Sequence, residues 1–72
     1  MSRIEPKAAG GVTPLRVLER VAEELRRHGI DADVARDPLG RYDIYVGFDD
    51  IDKLDRLCSE KKLSPEAEKL LC

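Results

Sequence analysis

Gly40 constrains the middle of this chain more than any other residue. It closes the tetrapeptide Asp37-Pro38-Leu39-Gly40, which separates two runs of alternating residues, Ile30–Arg36 and Arg41–Phe48. Aspartate and proline suit the first two positions of a type I turn. A plain two-residue loop would pair Asp37 with Gly40. Val34 would then stand opposite Asp43 and Ile44 opposite Asp33, so charge would enter both faces. A left-handed glycine after the turn instead forms a bulge and pairs Asp37 with Arg41. In that register Val34 faces Ile44, Ala32 faces Val46 and Ile30 faces Phe48, all on one side. A slip of one residue exchanges the two faces of a strand, so only the bulged register separates apolar from polar. The chain therefore reads as an antiparallel hairpin with an apolar inner face. Its outer face carries Asp31, Asp33, Ala35, Asp43, Tyr45 and Gly47.

Helices flank the hairpin. Thr13-Pro14 opens the first, with threonine at the cap and proline in the first turn, where a missing N–H costs nothing. Leu15, Leu18, Val21, Ala22 and Leu25 form a helical stripe that Gly29 ends, with Ile30 folding back onto Leu25. Asp49-Asp50 caps a second helix, whose buried stripe is Ile51, Leu54, Leu57 and Cys58. Ser64-Pro65-Glu66 starts a short third helix ending in Leu70-Leu71-Cys72. The order α-β-β-α-α predicts a small two-layer α+β domain, the hairpin covered on one face by helices. Residues 1–12 (MSRIEPKAAGGV) show neither periodicity and read as a flexible N-terminal arm, leaving 13–72 as the single domain. About sixty residues bury a modest core, and a lone hairpin leaves two open edges. Two copies pairing edge to edge would make a four-stranded sheet, so a homodimer is expected.

Charge is sorted along the chain. All eight aspartates lie between residues 31 and 55, against Arg36, Arg41 and Lys53, a net of −5. The remainder holds ten basic and seven acidic residues, a net of +3, and the whole chain carries −2. Turn and cap chemistry accounts for Asp37, Asp49 and Asp50. Asp52 and Arg56, and Asp49 and Lys53, are spaced as helix pairs. The acidic run FDDIDKLD lacks the alternating ligands, turn glycine and late glutamate of a calcium loop, so no metal site is expected. Asp31, Asp33 and Asp43 around Tyr45 are left over. Nothing local requires three carboxylates on neighbouring strands, and tyrosine favours interface centres. These four residues are the expected partner-binding surface, and a basic protein is the expected partner.

Other chemistry has little footing. Arg16, Arg20 and Arg27 on the first helix stand among Glu19, Glu23 and Glu24 at pairing distances, whereas tracking phosphates requires unneutralised cations. No aromatic platform for bases exists, since Phe48 is placed in the core. His28, the only histidine, sits near a helix C-terminus, where a cation is favoured without any catalytic role. No glycine-rich phosphate loop is present, Cys58 reads as a small buried hydrophobe, and Cys58 and Cys72 show no zinc spacing. Free thiols, no cofactor, no enzyme activity and a cytoplasmic location follow as expectations. No apolar run is long enough for a membrane span. The leading expectation is a non-enzymatic interaction or regulatory module. An acidic inhibitor that mimics nucleic-acid phosphates is the alternative. Nucleic-acid binding through the first helix and the arm residues Arg3 and Lys7 is weaker still.

Overall fold

The computed structural model describes residues 2–4, 14–36 and 38–72, with side chains from residue 14 onward. Strand β1 (Ser2–Ile4) precedes helix α1 (Leu15–Arg27), the hairpin strands β2 (Ala32–Arg36) and β3 (Tyr42–Val46), a 3-10 turn at Phe48–Asp50, and helices α2 (Ile51–Ser59) and α3 (Pro65–Leu71). Helices pack on the hairpin as an α+β fold, the class expected from the element order. Leu18, Val21, Ala22 and Leu25 of α1 meet Ala32, Ile44 and Val46 of the sheet. Leu54, Leu63, Ala67, Leu70 and Leu71 complete one core.

The hairpin adopts the bulged register. Gly40 has φ +86°, and Ala32 pairs with Val46, Asp33 with Tyr45, Val34 with Ile44 and Ala35 with Asp43. A residue with a Cβ resists that backbone, and a Cβ there would also lie 3.2 Å from the Arg36 guanidinium. The expected pairing of Asp37 with Arg41 involves a residue outside the described set. The predicted contact of Ile30 with Phe48 does not form. Ile30 is buried, but the strand ends at Val46 and Phe48 turns out into solvent.

The sheet has a third strand that sequence periodicity did not reveal. Within the stretch read as an arm, Ser2–Ile4 pairs antiparallel with Val46–Ile44, giving the order β1-β3-β2. Three residues are too few to show alternation, and their pairing depends wholly on an edge formed forty residues later. Residues 5–13 lie outside the described set. With β1 in place, β3 is a central strand.

The exposed edge of β2 is also occupied. Arg26 reaches over from α1 and donates its Nε–H to the Ala32 carbonyl at 2.8 Å. The Val34 N–H donates to Oδ1 of its own neighbour Asp33 at 2.9 Å. These are outward-facing backbone groups that another strand would otherwise engage.

Both longer helices end in the same way. At α1, Gly29 N–H donates to the Arg26 carbonyl and Ile30 N–H to the Leu25 carbonyl, with Gly29 at φ +81°. At α2, Lys61 N–H donates to Cys58 and Lys62 N–H to Leu57, but the left-handed residue is Lys61, at φ 54°. Its Cβ makes that conformation costly by about 1 kcal/mol. At the start of α1 the cap position is held by Pro14, one residue later than expected, and Thr13 lies outside the described set. Ser64 caps α3 as predicted, accepting from the Ala67 N–H at 3.3 Å.

The expectation of free thiols is overturned. Cys58 and Cys72 form a disulfide, their Cα atoms 5.8 Å apart and their positions 14 apart in sequence. The reversal at Lys61 and the Ser64 cap fold α3 back until its last residue meets α2, a convergence that linear spacing does not display. The link closes a loop of a size that stabilises the fold by about 3 kcal/mol.

Two measurements follow from this architecture. Reducing the Cys58–Cys72 bond lowers the free energy of unfolding by about 3 kcal/mol, read as a lower urea midpoint with and without reductant. The substitution Lys61→Gly relieves the left-handed backbone and raises stability by about 0.5–1 kcal/mol in the same assay.

Candidate functional site

The four residues expected to form one acidic surface fall in three places. Asp33 and Tyr45 are directly cross-strand, as the register requires. Tyr45 is half-buried at the centre of the sheet, between the backbone positions of Arg3 on β1 and Asp33 on β2. Asp43 is buried, only 5% exposed, and has an interaction of its own within the chain. Asp33 is exposed, but its carboxylate already serves the Val34 N–H and lies 3.5 Å from the Arg26 guanidinium. Asp31 stands apart from both, beyond the start of β2.

Asp31 belongs to a different corner. Its carbonyl accepts the Gly47 N–H at 2.9 Å, and its own N–H donates to Oδ2 of Asp50 at 2.8 Å. The Asp50 N–H in turn donates to the Gly47 carbonyl at 2.9 Å, closing the 3-10 turn. Asp50 does occupy the cap position of α2, yet its side chain makes no capping bond. It is spent on tying the turn to β2, with Lys53 Nζ 3.5 Å from its other oxygen. Lys53 was expected to pair with Asp49, and the tie explains why Asp50 is the partner instead. A Cβ on residue 47 would lie 3.3 Å from Asp50 Oδ2 and 3.5 Å from the Asp31 Cβ. The small residue keeps the corner closed.

Phe48 sits on this turn with 69% of its surface exposed. Asp49 and Asp52, close to it in sequence, and Asp31, whose carbonyl holds the Gly47 N–H, are exposed as well. Placing Phe48 in the core was an error of extending strand alternation too far. The signal that could have corrected it is local: Gly47 before the aromatic and Asp49-Asp50 after it mark a change of direction.

The face of α1 turned from the core carries an open groove of about 470 Å³, lined by Arg16, Glu19, Arg20, Glu23, Arg26, Asp33 and Val34. Three cations and three anions share it, so it has no excess charge to attract phosphates. Arg20 does not pair with Glu24 as helix spacing suggested. It reaches Glu66 on α3 at 2.9 Å. Glu24 is committed elsewhere, accepting the Ser64 N–H at 2.7 Å and the Ser64 hydroxyl at 2.6 Å. His28 is exposed at the end of α1. Among the described residues, no group of three or more His, Cys, Asp or Glu side chains is placed to hold a metal ion. Among the described residues, no helix is long and apolar enough to cross a membrane.

Comparison of the chain with protein-family models, with curated proteins and with solved structures gives no match.

Glu24 titrates in a predictable direction. Burial pushes its pKa up, but the two hydrogen bonds from Ser64 and the charges of His28 and Arg27 outweigh it, leaving the group below its ordinary 4.5. A carboxylate whose pKa is lowered by folding contributes stability above its unfolded pKa and loses it as the pH falls through the folded value. Thermal unfolding followed below pH 4.5 shows wild-type stability dropping more steeply than that of Glu24→Gln, which cannot ionise. Parallel acid limbs for the two proteins would remove Glu24 as the cause.

Proposed function

We propose that the chain is a non-enzymatic protein–protein interaction module that binds a basic protein surface. The observation that carries this is the concentration of acid in one stretch of the sequence. Residues 31–55 hold −5 within a chain of −2, and Asp31, Asp33, Asp49, Asp52 and Asp55 of that stretch are exposed. An excess of exposed charge of one sign steers encounter with the opposite sign and rejects partners of its own. The acids that support binding differ from those first expected. Asp43 is withdrawn by burial and Asp33 is half-committed to Arg26. Asp31 remains, joined by Asp49 and Asp52 at the corner of the sheet.

The phosphate-mimic alternative is weaker, because a mimic needs a row of carboxylates and two of the three on the strands are engaged internally. Nucleic-acid binding through α1 is weaker again, with Arg20 and Arg26 each beside an acid. A homodimer formed by pairing β2 edges would require Arg26 and Asp33 to release Ala32 and Val34. A cytoplasmic location was expected together with free thiols, and the Cys58–Cys72 bond favours an oxidising compartment instead.

Affinity capture from the cells that make the protein tests the reading. Immobilised wild-type chain retains basic proteins that elute as ionic strength rises. The triple variant Asp31→Asn, Asp49→Asn, Asp52→Asn retains them at least about tenfold less well, the loss of roughly 1.4 kcal/mol. Retention indifferent to both salt and these substitutions would sink the proposal.

A further inference from the structure

Deepening the interaction reading above, and resting on it, we infer that Phe48 is the anchor of a docking knob. It fits an apolar socket rimmed by lysines and arginines on a partner protein. Phe48 is the only phenylalanine of the chain and 69% of its surface is in water. Leu39 is more exposed still, at 81%, but it lies in the hairpin turn between β2 and β3. Phe48 is different because it follows β3 directly, beside a core that buries Ile30 and Val46. The fold has an inner face within reach of this stretch of chain, and the ring is turned outward.

The outward position is built. Gly47 N–H is held by the Asp31 carbonyl at 2.9 Å, Asp50 N–H by the Gly47 carbonyl at 2.9 Å, and the Asp31 N–H by Asp50 Oδ2 at 2.8 Å. Hydrogen bonds therefore fix the backbone on both sides of the aromatic and tie it to β2. Helix α2 begins immediately after the turn at Ile51, so the following residue is also set. An aromatic displayed on a fixed turn has only its two side-chain torsions to lose on binding, the arrangement that gives anchor residues their strength.

The surroundings select the partner. Asp50 is offset by Lys53 at 3.5 Å. Among the described residues, the exposed Asp31, whose carbonyl holds the Gly47 N–H, and the exposed Asp49 and Asp52, next to Phe48 in sequence, put carboxylates on this turn and the helix start that follows it. A second copy docking by the same patch would set these carboxylates against their own images, and an anionic nucleic acid or lipid surface would be repelled likewise. A socket whose floor is apolar and whose rim is cationic matches both features.

The 72-residue disulfide-bonded chain, labelled with 15N, is titrated at physiological salt with two synthetic peptides of equal charge. One is an amphipathic helix of leucine and lysine; the other has glycine and serine in place of leucine. The leucine–lysine peptide shifts the amides of Asp31 and of residues 47–53. It binds Phe48→Ala about tenfold more weakly than wild type, and the glycine–serine peptide binds both proteins equally and weakly. Because Phe48 is exposed, Phe48→Ala unfolds at the wild-type temperature. Equal affinity of the leucine–lysine peptide for Phe48→Ala, or shifts confined to other residues, overturns the knob while leaving a basic partner in place. Failure of both peptides to bind even at low salt removes the interaction reading with it. Light scattering that finds a wild-type dimer abolished by Phe48→Ala assigns the ring to a second copy and likewise overturns the proposal.

Discussion

A single left-handed residue, Gly40, sets which side chains share a face. With φ at +86° it adds one residue to the turn, and that extra residue brings Val34 opposite Ile44 and Ala32 opposite Val46. Shift the register by one and charged side chains replace apolar ones beneath α1. Burying an uncompensated carboxylate costs several kcal/mol, far more than a left-handed backbone costs glycine. The helices have a surface to pack on only because this turn is bent in one particular way. The placement of Asp33 beside Tyr45 and of Asp31 beside Gly47 follows from the same register.

The second organising interaction joins distant parts of the chain. Glu24 on α1 accepts both the N–H and the hydroxyl of Ser64, forty residues away, while that same hydroxyl accepts the Ala67 N–H that begins α3. One carboxylate thus orients the residue that caps a helix and anchors that helix to α1. Arg20 and Glu66 lie along the same seam, and the Cys58–Cys72 link ties the far end of α3 to α2. A seven-residue helix is too short to persist alone. Here it is held at its start by Glu24, along its length by Ala67, Leu70 and Leu71 in the core, and at its end by a covalent bond.

Much of this was legible in linear order. The Gly29 stop, the α1 stripe from Leu18 to Leu25, the Ser64 cap and the bulged hairpin each depend on neighbours within a few residues, and each is found; Leu15, expected to begin that stripe, is exposed in the first turn of α1. The candidate site was less legible. Asp43 alternates correctly onto the outer face, but it is buried there, and alternation assigns a face without saying what covers it. Phe48 alternates correctly onto the inner face, but alternation stops at Val46 once the chain turns. Only the Phe48 misplacement comes from applying period two beyond the strand that enforces it; Asp43 keeps the face that alternation gives it and loses only its exposure.

Side chains with several available partners divide along the same line. Arg20 and Glu24 stand one helical turn apart and could pair, yet each chooses a residue on α3. Those partners are presented by the folded chain at fixed distance, and a pair within an exposed helix is worth only a few tenths of a kcal/mol. By itself the sequence determined the three helices, the hairpin between the first two, its register and the sorting of acid into residues 31–55, because local sterics, caps and periodicity act within a few residues. Only the tertiary structure decided the third strand, the disulfide, the burial of Asp43 and the exposure of Phe48. Each of these turns on which distant segments meet, and that is set by the packing of the whole core.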